Sequence, residues 1–166
     1  MFRAATCLAV LAAGASCAYT AASGLPAHIR TVRVEVFENL TAYPGLGAEL
    51  AAAVVREFQV DGTLAPTSRA AGAVLRGRIT RVGRSVLQED AFDDAVTGQV
   101  TVEAVVSLAD VAGGSALLDE ELVTSAGTDQ TEGIWRLRRG EMELDGLASA
   151  VRALAREVVR RAVEAW

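Results

Sequence analysis

The sequence predicts an α+β fold, a two-layer sandwich in which two helices cover one face of a four-stranded mixed sheet. Four segments alternate apolar with polar side chains, which is typical of half-buried strands. Two further segments carry apolar side chains at helical spacing. The order along the chain is β-α-β-β-β-α, and each element has one apolar face. Two layers are the simplest arrangement that buries all of these faces.

The first half of the domain is predicted to be a strand–helix–strand unit. Valines alternate with charged residues over 31–37, with Val36 among those that face inward. Apolar residues then recur at helical spacing over 46–58, and Gly62 ends that helix. Apolar and polar residues alternate again over 75–80, which predicts the second strand. Because a helix joins them, the two strands are expected to be parallel, with a right-handed connection.

The second half is predicted to be an antiparallel meander that ends in a long helix. The pattern over 99–108 indicates a strand, and Gly113-Gly114 is typical of a hairpin turn. A fourth strand follows over 117–124, where either register fits the pattern. The stretch 127–141 is predicted to be a loop. Apolar residues at helical spacing then indicate a helix over 144–166.

The sheet face opposite the helices is expected to remain uncovered and charged. Its predicted members are Arg33, Glu35, Arg76, Arg78, Thr101 and Glu103. Four arginines lie within nine residues, namely Arg76, Arg78, Arg81 and Arg84. On a regular strand Arg81 faces away from the first two, unless a bulge near Gly83 turns it. The four are either a solvated strand face or contacts for a partner or a phosphorylated glycolipid, since guanidinium binds phosphate in bidentate fashion.

The N-terminus has the features of a cleavable signal peptide. Arg3 is followed by a short apolar run and then by small residues before Cys17. The run is too short for a permanent membrane helix, which needs about 20 residues. Small residues directly before Cys17 resemble the bacterial lipobox, in which the peptidase cuts before the cysteine and its sulfur carries diacylglycerol. Gly14 stands where the lipobox usually has leucine.

Cysteine usage favours lipidation of Cys17 over its alternatives. Cys7 lies within the removable segment, so Cys17 is the one cysteine left after cleavage. An ordinary signal peptide cut near Ala15 or Ala18, or a disulfide to Cys7, are the other possibilities. The predicted organisation is a lipoprotein signal peptide at 1–16, a lipidated tether at 17–29 and one domain at 30–166. Removal of 16 residues from 166 leaves 150, enough for a single domain.

Composition argues against catalysis and against nucleic-acid binding. All 16 basic residues are arginine and the net charge is −5, which does not fit a nucleic-acid partner. The single histidine, His28, is predicted to lie exposed in a loop. The sequence has no recognisable catalytic, phosphate-binding or metal-binding motif, so no cofactor is expected. A hydrolase that uses Glu38 and Asp61 is a remote alternative.

Loop residues outside the predicted elements have structural interpretations. The acidic residues of 89–94 are expected to form a solvated hairpin loop, since their spacing is not that of a calcium loop. Tyr43, Phe92 and Trp135 are predicted to lie in loops. There they either cover the core or contact a partner or lipid.

The stretch LPAHIRTVRVEVFENLTAYPGLGAELAAAVVREFQVDGTL, residues 25–64, resembles the lipopolysaccharide-assembly lipoproteins, the LptE family. The similarity lies in Leu25-Pro26 with His28-Ile29, in the FEN-x-T motif from Phe37 to Thr41, and in Asp61-Gly62. The last helix is also similar to that of the family, whereas the middle of the chain matches in pattern only.

The resemblance implies a non-enzymatic lipoprotein of the outer membrane, anchored on its periplasmic side. Members of this family lie inside the β-barrel protein of the lipopolysaccharide translocon, support assembly of that barrel and deliver lipopolysaccharide to the outer leaflet. The expected partners are therefore that barrel, lipopolysaccharide, and the membrane through the N-terminal lipid. The alternative is an envelope lipoprotein with a similar first strand that binds and activates a cell-wall synthase.

Overall fold

A computed structural model describes residues 25–91, 95–125, 133–137 and 141–164. The predicted signal peptide and Cys17 lie outside the described residues, as does Phe92. The elements in chain order are β1 (Thr31–Val34), β2 (Glu38–Asn39), α1 (Leu46–Asp61), β3 (Ala65–Pro66), β4 (Ala73–Glu89), β5 (Ala95–Asp110), β6 (Ala116–Thr124), β7 (Ile134–Arg136) and α2 (Glu143–Glu164).

The predicted α+β class and mixed sheet are correct, but the described sheet has seven strands rather than four. The strand order is β3-β1-β4-β5-β6, with β2 beside β4 and β7 beside β5. As predicted, β1 and β4 are parallel, and β4, β5 and β6 form an antiparallel meander. The additional strands β2, β3 and β7 have two or three residues each, too few to show an alternating pattern.

Both helices pack against the sheet, and the core lies between the two layers. Val32 of β1, Leu75 of β4 and Val102 of β5 are fully buried there with Phe58 and Leu154 of the helices. Helix α1 ends as predicted, because Gly62 adopts a left-handed conformation and its N–H donates to the Phe58 carbonyl at 3.0 Å. Among the described residues, no helix has the length and apolar character needed to cross a membrane.

The first predicted strand is interrupted. Val36, expected to face inward, is 71% exposed, and Phe37 is buried instead at 3%. The register against β4 shifts by one residue between β1 and β2, which turns Val36 outward. Phe37 packs over Gly77, where an added Cβ would come within 2.6 Å of the ring. A glycine at this position of β4 therefore makes room for the aromatic side chain.

Strands β4 and β5 are longer than the predicted 75–80 and 99–108. They form a hairpin in which the β4 residues from Arg84 to Glu89 are exposed. Two register shifts between Val86 and Glu89 break the alternation that would have revealed this extension. Of the predicted acidic hairpin loop, Glu89 belongs to β4, Asp90 lies in the connection, and Asp93 and Asp94 lie outside the described residues.

A bulge explains why either register fitted β6. Leu118 and Val123 are both buried, although they are five positions apart, whereas residues on one face of a regular strand are an even number of positions apart. Between them the register slips, and Glu120 has a positive φ of 40°. This slip lets both apolar residues face the helices.

The predicted loop at 127–141 contains the short strand β7, so that prediction is wrong in part. Trp135 of β7 pairs with Gly98 of β5, and an added Cβ on Gly98 would come within 2.7 Å of the indole. Trp135 packs against the core, as does Tyr43, so the first of the two alternatives for these aromatics holds.

The described chain begins with a segment that is packed on the sheet. Leu25 and Ile29, in the stretch assigned to the tether, are buried. His28 is exposed, as predicted, but its Nε2 lies 2.9 Å from Oδ2 of the buried Asp110 at the end of β5. Hydrogen bonds from His28 and from the Ala112 N–H lower the pKa of Asp110.

Candidate functional site

The face of the sheet that points away from the helices, called the outer face below, is the main candidate site. In the part of the chain that the structure describes, no helix lies over it. Thr101, Glu103 and Ser107 of β5 point to this face between the buried positions of the strand. It thus carries polar side chains in the predicted alternation. Two apolar side chains, Val105 and the exposed Leu122, lie between them.

Arg76 is held in place on the outer face by Glu35. Its Nε donates to Glu35 Oε2 at 2.9 Å, and its second guanidinium nitrogen donates to Oε1 at 3.2 Å. This bidentate pair lowers the pKa of Glu35, and Arg33 lies 3.7 Å from the same carboxylate. Arg76 is therefore engaged by a carboxylate within its own sheet.

Arg78 is paired in the same way with Glu120. The nitrogen–oxygen distance is 2.9 Å, and the hydrogen bond lowers the pKa of Glu120. Glu120 is the residue with positive φ in the bulge of β6. A cleft of about 330 Å³ lies between these two pairs, with Val36 and Val105 in its lining.

Arg81 lies on the outer face, contrary to the prediction for a regular strand. A register shift between Ile79 and Arg81 inserts Thr80 as an extra residue, three positions before the glycine proposed for a bulge. Arg81 therefore faces the same side as Arg76 and pairs with Glu103 at 3.6 Å. Three of the four predicted arginines thus share one face.

Arg84 lies on the other side, where β4 leaves the cover of the helices. Its Nε is 2.8 Å from both the Tyr43 hydroxyl and Glu143 Oε1. The Tyr43 hydroxyl donates to the same carboxylate oxygen at 2.9 Å. This network connects β4, the loop before α1 and the first residue of α2, so the four arginines do not form one cluster.

The outer face has no excess of positive charge. It carries Arg33, Arg76, Arg78 and Arg81 against Glu35, Glu38, Glu103 and Glu120, so the formal charges cancel. A phosphate that approached these arginines would meet the glutamates that already bind them. These paired charges are more complementary to a partner surface that carries charges of both signs than to a polyanionic ligand.

The FEN-x-T motif shapes the loop that supports Arg84. The Asn39 amide nitrogen donates to the Tyr43 carbonyl at 2.6 Å, and the Asn39 side-chain oxygen accepts from the N–H and hydroxyl of Thr41. These bonds fold the loop so that Tyr43 reaches Arg84. The sequence showed the motif but gave no indication of this role.

Exposed apolar side chains concentrate where the β4–β5 hairpin leaves the domain, a region called the hairpin end below. Leu40 lines a cavity together with Tyr43 and Arg84, and Met142 and Leu144 flank Glu143 in sequence. Each apolar side chain of this region is at least half exposed: Leu40, Val86, Leu87, Leu137, Met142 and Leu144. An exposed apolar group of this kind, rimmed by charged residues, is typical of a contact surface for protein or lipid.

Metal-binding clusters and the carboxylate pair considered for a hydrolase were compared with the described residues. They contain no group of three or more histidine, cysteine, aspartate or glutamate side chains that could hold a metal ion. Glu38 lies in β2 before α1, whereas Asp61 is the last residue of that 16-residue helix, about 22 Å along its axis from its start. The two carboxylates therefore do not act together.

Comparison with solved structures shows that the fold occurs in other bacterial proteins. The PelC dodecamer from Paraburkholderia phytofirmans is 16% identical, with a TM-score of 0.52 over 83% of this chain and 90% of that chain. Protein XCC0632 from Xanthomonas campestris is 14% identical, with a TM-score of 0.54 over 85% and 90%. Hypothetical protein CT253 from Chlamydia trachomatis is 13% identical, with a TM-score of 0.53 over 80% and 95%.

Sequence comparison supplies the family. No curated protein matches the chain. The family model described as LptE, lipopolysaccharide-assembly, matches residues 29–165, which include every strand and helix of the structure. The chain therefore belongs to the LptE family of lipopolysaccharide-assembly proteins.

Proposed function

We propose that this protein is an outer-membrane lipoprotein of the lipopolysaccharide translocon that binds inside its β-barrel partner and supports barrel assembly and lipopolysaccharide delivery. The observation that carries the proposal is the family match over 29–165. Binding rather than catalysis agrees with a site made of ion pairs and exposed apolar side chains.

The N-terminus supplies the membrane attachment in this proposal. Cys17 follows small residues at the end of a signal-like segment, and acylation there anchors the domain on the periplasmic side of the outer membrane. Attachment through lipid leaves the whole domain free to enter a protein partner.

The outer face is proposed to contact the barrel protein. Its paired charges and the cleft beside Val36 offer hydrogen-bonding groups of both signs, which suit a polar protein wall. Arg76, Arg78 and Arg81 then orient the domain, because each can leave its own glutamate and pair with an acidic group of that wall.

Lipopolysaccharide is proposed to contact the hairpin end. This ligand combines phosphate groups with acyl chains. Arg84 is the one arginine of the four that lies beside several exposed apolar side chains, including Val86 and Leu144. A phosphate would replace Glu143, the one glutamate among the described residues that pairs with Arg84, and the apolar side chains suit the acyl chains.

Reversing the charge of Arg76 and Arg78 is expected to weaken capture of the barrel protein while the fold is retained. Arg76→Glu/Arg78→Glu places like charges beside Glu35 and Glu120, and it removes the cations that face the partner. Both arginines are on the surface, so the thermal midpoint should change little. The measurements are barrel co-purification, lipopolysaccharide binding and a circular-dichroism melt.

The matched control is Arg56→Glu/Arg152→Glu, which changes the same charge on exposed positions of α1 and α2. It should leave co-purification intact. Normal barrel capture by the Arg76/Arg78 variant would show that these residues are a solvated strand face. Capture of a cell-wall synthase by the wild-type protein in place of a barrel would favour the alternative function.

A further inference from the structure

We propose that, before the domain enters its barrel partner, one end of it, called the anchor end below, rests on the anionic lipid surface of the membrane and holds the domain upright. It comprises His28, Arg30, Val60, Arg69 and Val111. The inference rests on the proposed lipid attachment at Cys17 and adds a second, electrostatic contact that fixes orientation.

Backbone hydrogen bonds bring these residues to the same end of the sheet. The Arg30 carbonyl accepts from Ala65 at the start of β3, at 2.9 Å. The Gly72 N–H, just before β4, donates to the Thr31 carbonyl, and the Gly72 carbonyl accepts from Val111 after β5. Helix α1 runs back against β1, so Val60 in its last turn reaches this end as well.

The described chain enters the domain at this end and is fixed there. The His28–Asp110 contact lies three residues after Leu25, where the described chain begins. Eight residue steps separate Cys17 from Leu25, which reach at most about 28 Å when extended. The tip of the hairpin lies at the other end of β4, which has 17 residues and spans roughly 50 Å. A lipid on Cys17 therefore keeps the anchor end, and not the hairpin tip, close to the bilayer.

The side chains at the anchor end suit a lipid headgroup region. Arg30 and Arg69 are exposed, and neither forms an ion pair within the described part of the chain. Val60 and Val111 are 81% and 56% exposed. Cationic and apolar side chains together are the combination that binds an anionic membrane interface.

Among the described residues, no carboxylate lies within ion-pair distance of Arg30 or Arg69. Asp110 is buried against His28, and Asp61 accepts from the Thr63 N–H at 3.1 Å. The last turn of α2 also reaches this end, and its Arg160 is paired with Glu157 and Glu164. The guanidinium groups of Arg30 and Arg69 can therefore bind lipid phosphates, whereas Glu57 and Asp61 line a cleft with the last turns of α2 on the helix side of this end.

Energy transfer between a dye on the protein and acceptor dyes on lipid headgroups tests the orientation. The chain from residue 17 is coupled through the Cys17 thiol to a maleimide lipid, so the test does not depend on lipidation in cells. The donor dye is placed at position 112 or at position 91, on an azide-bearing amino acid. Vesicles contain phosphatidylcholine alone or with phosphatidylglycerol.

On vesicles with phosphatidylglycerol, transfer from position 112 should greatly exceed transfer from position 91. Arg30→Gln/Arg69→Gln should lower the preference for this orientation roughly 25-fold, since each cation near such a surface contributes about fivefold. The control Arg56→Gln/Arg152→Gln should keep the difference between the two positions.

Equal transfer from both positions on anionic vesicles would overturn the proposal. A difference that is equally large on phosphatidylcholine alone would also overturn it, because the tether would then set the orientation without the arginines. If the difference is lost in the Arg56/Arg152 variant and kept in the Arg30/Arg69 variant, the helix layer faces the membrane instead. None of these outcomes bears on whether the protein is lipidated in cells.

Discussion

Replacement of Val102 by aspartate is expected to unfold the domain. Val102 is fully buried in the middle of β5, with Val82 opposite it on β4 and the helices above it. An aspartate there places an unpaired carboxylate in an apolar core, which ranks among the most destabilising single changes. The loss should reach about 5 kcal/mol, comparable to the whole stability of many domains.

Thr101→Asp is the matched control, one residue away on the outer face. Thr101 is partly exposed and lies over Gly83. The same carboxylate there stays in water, so the thermal midpoint should fall only slightly. Equal midpoints for the two variants would contradict the assignment of the faces of β5.

Replacement of Cys17 by alanine is expected to release the protein from the outer membrane. The expected anchor is acyl chains on this cysteine, and stable attachment needs two or more chains. The domain described from Leu25 onward has its own core, so the released protein should still fold. Membrane fractionation of the variant, with mass spectrometry of the wild-type mature N-terminus, measures both parts of this prediction.

An unmodified Cys17, or a mature chain that begins elsewhere, would disprove lipidation. A variant that stays with the outer membrane would show that the barrel partner retains it without lipid. Mass spectrometry separates these results, because it reports the modification whatever the location of the protein.

The sequence was sufficient for the class of the fold because its long elements repeat their pattern. Alternation over β5 and apolar spacing over both helices each cover ten or more residues. Irregularities were not predictable in this way. After β1, Phe37 is buried where Val36 was expected, and in β4 Thr80 is an extra residue. Each irregularity shifts the alternation of buried and exposed residues by one position. A shift of this kind reverses the side on which every later residue is expected.

The sequence predicted some residues of the candidate site but not the residues with which they pair. Alternation correctly placed Arg76 and Arg78 on an uncovered face. Glu120 reaches Arg78 from a bulge 42 positions away, and Glu143 lies beside Arg84 only because α2 begins there. Contacts between residues so distant in sequence depend on the assembled sheet, and no local pattern encodes them.

Site-specific photo-crosslinking in living cells tests the central claim most directly. A photoreactive amino acid is placed at Ser107 on the outer face, at Leu87 on the hairpin end, or at Ala52 on the exposed side of α1. The account predicts that position 107 crosslinks to the β-barrel protein of the lipopolysaccharide translocon and position 87 to lipopolysaccharide, and that position 52 crosslinks weakly to either. Crosslinking of positions 107 and 87 to a cell-wall synthase, with no barrel product from any position, would contradict it.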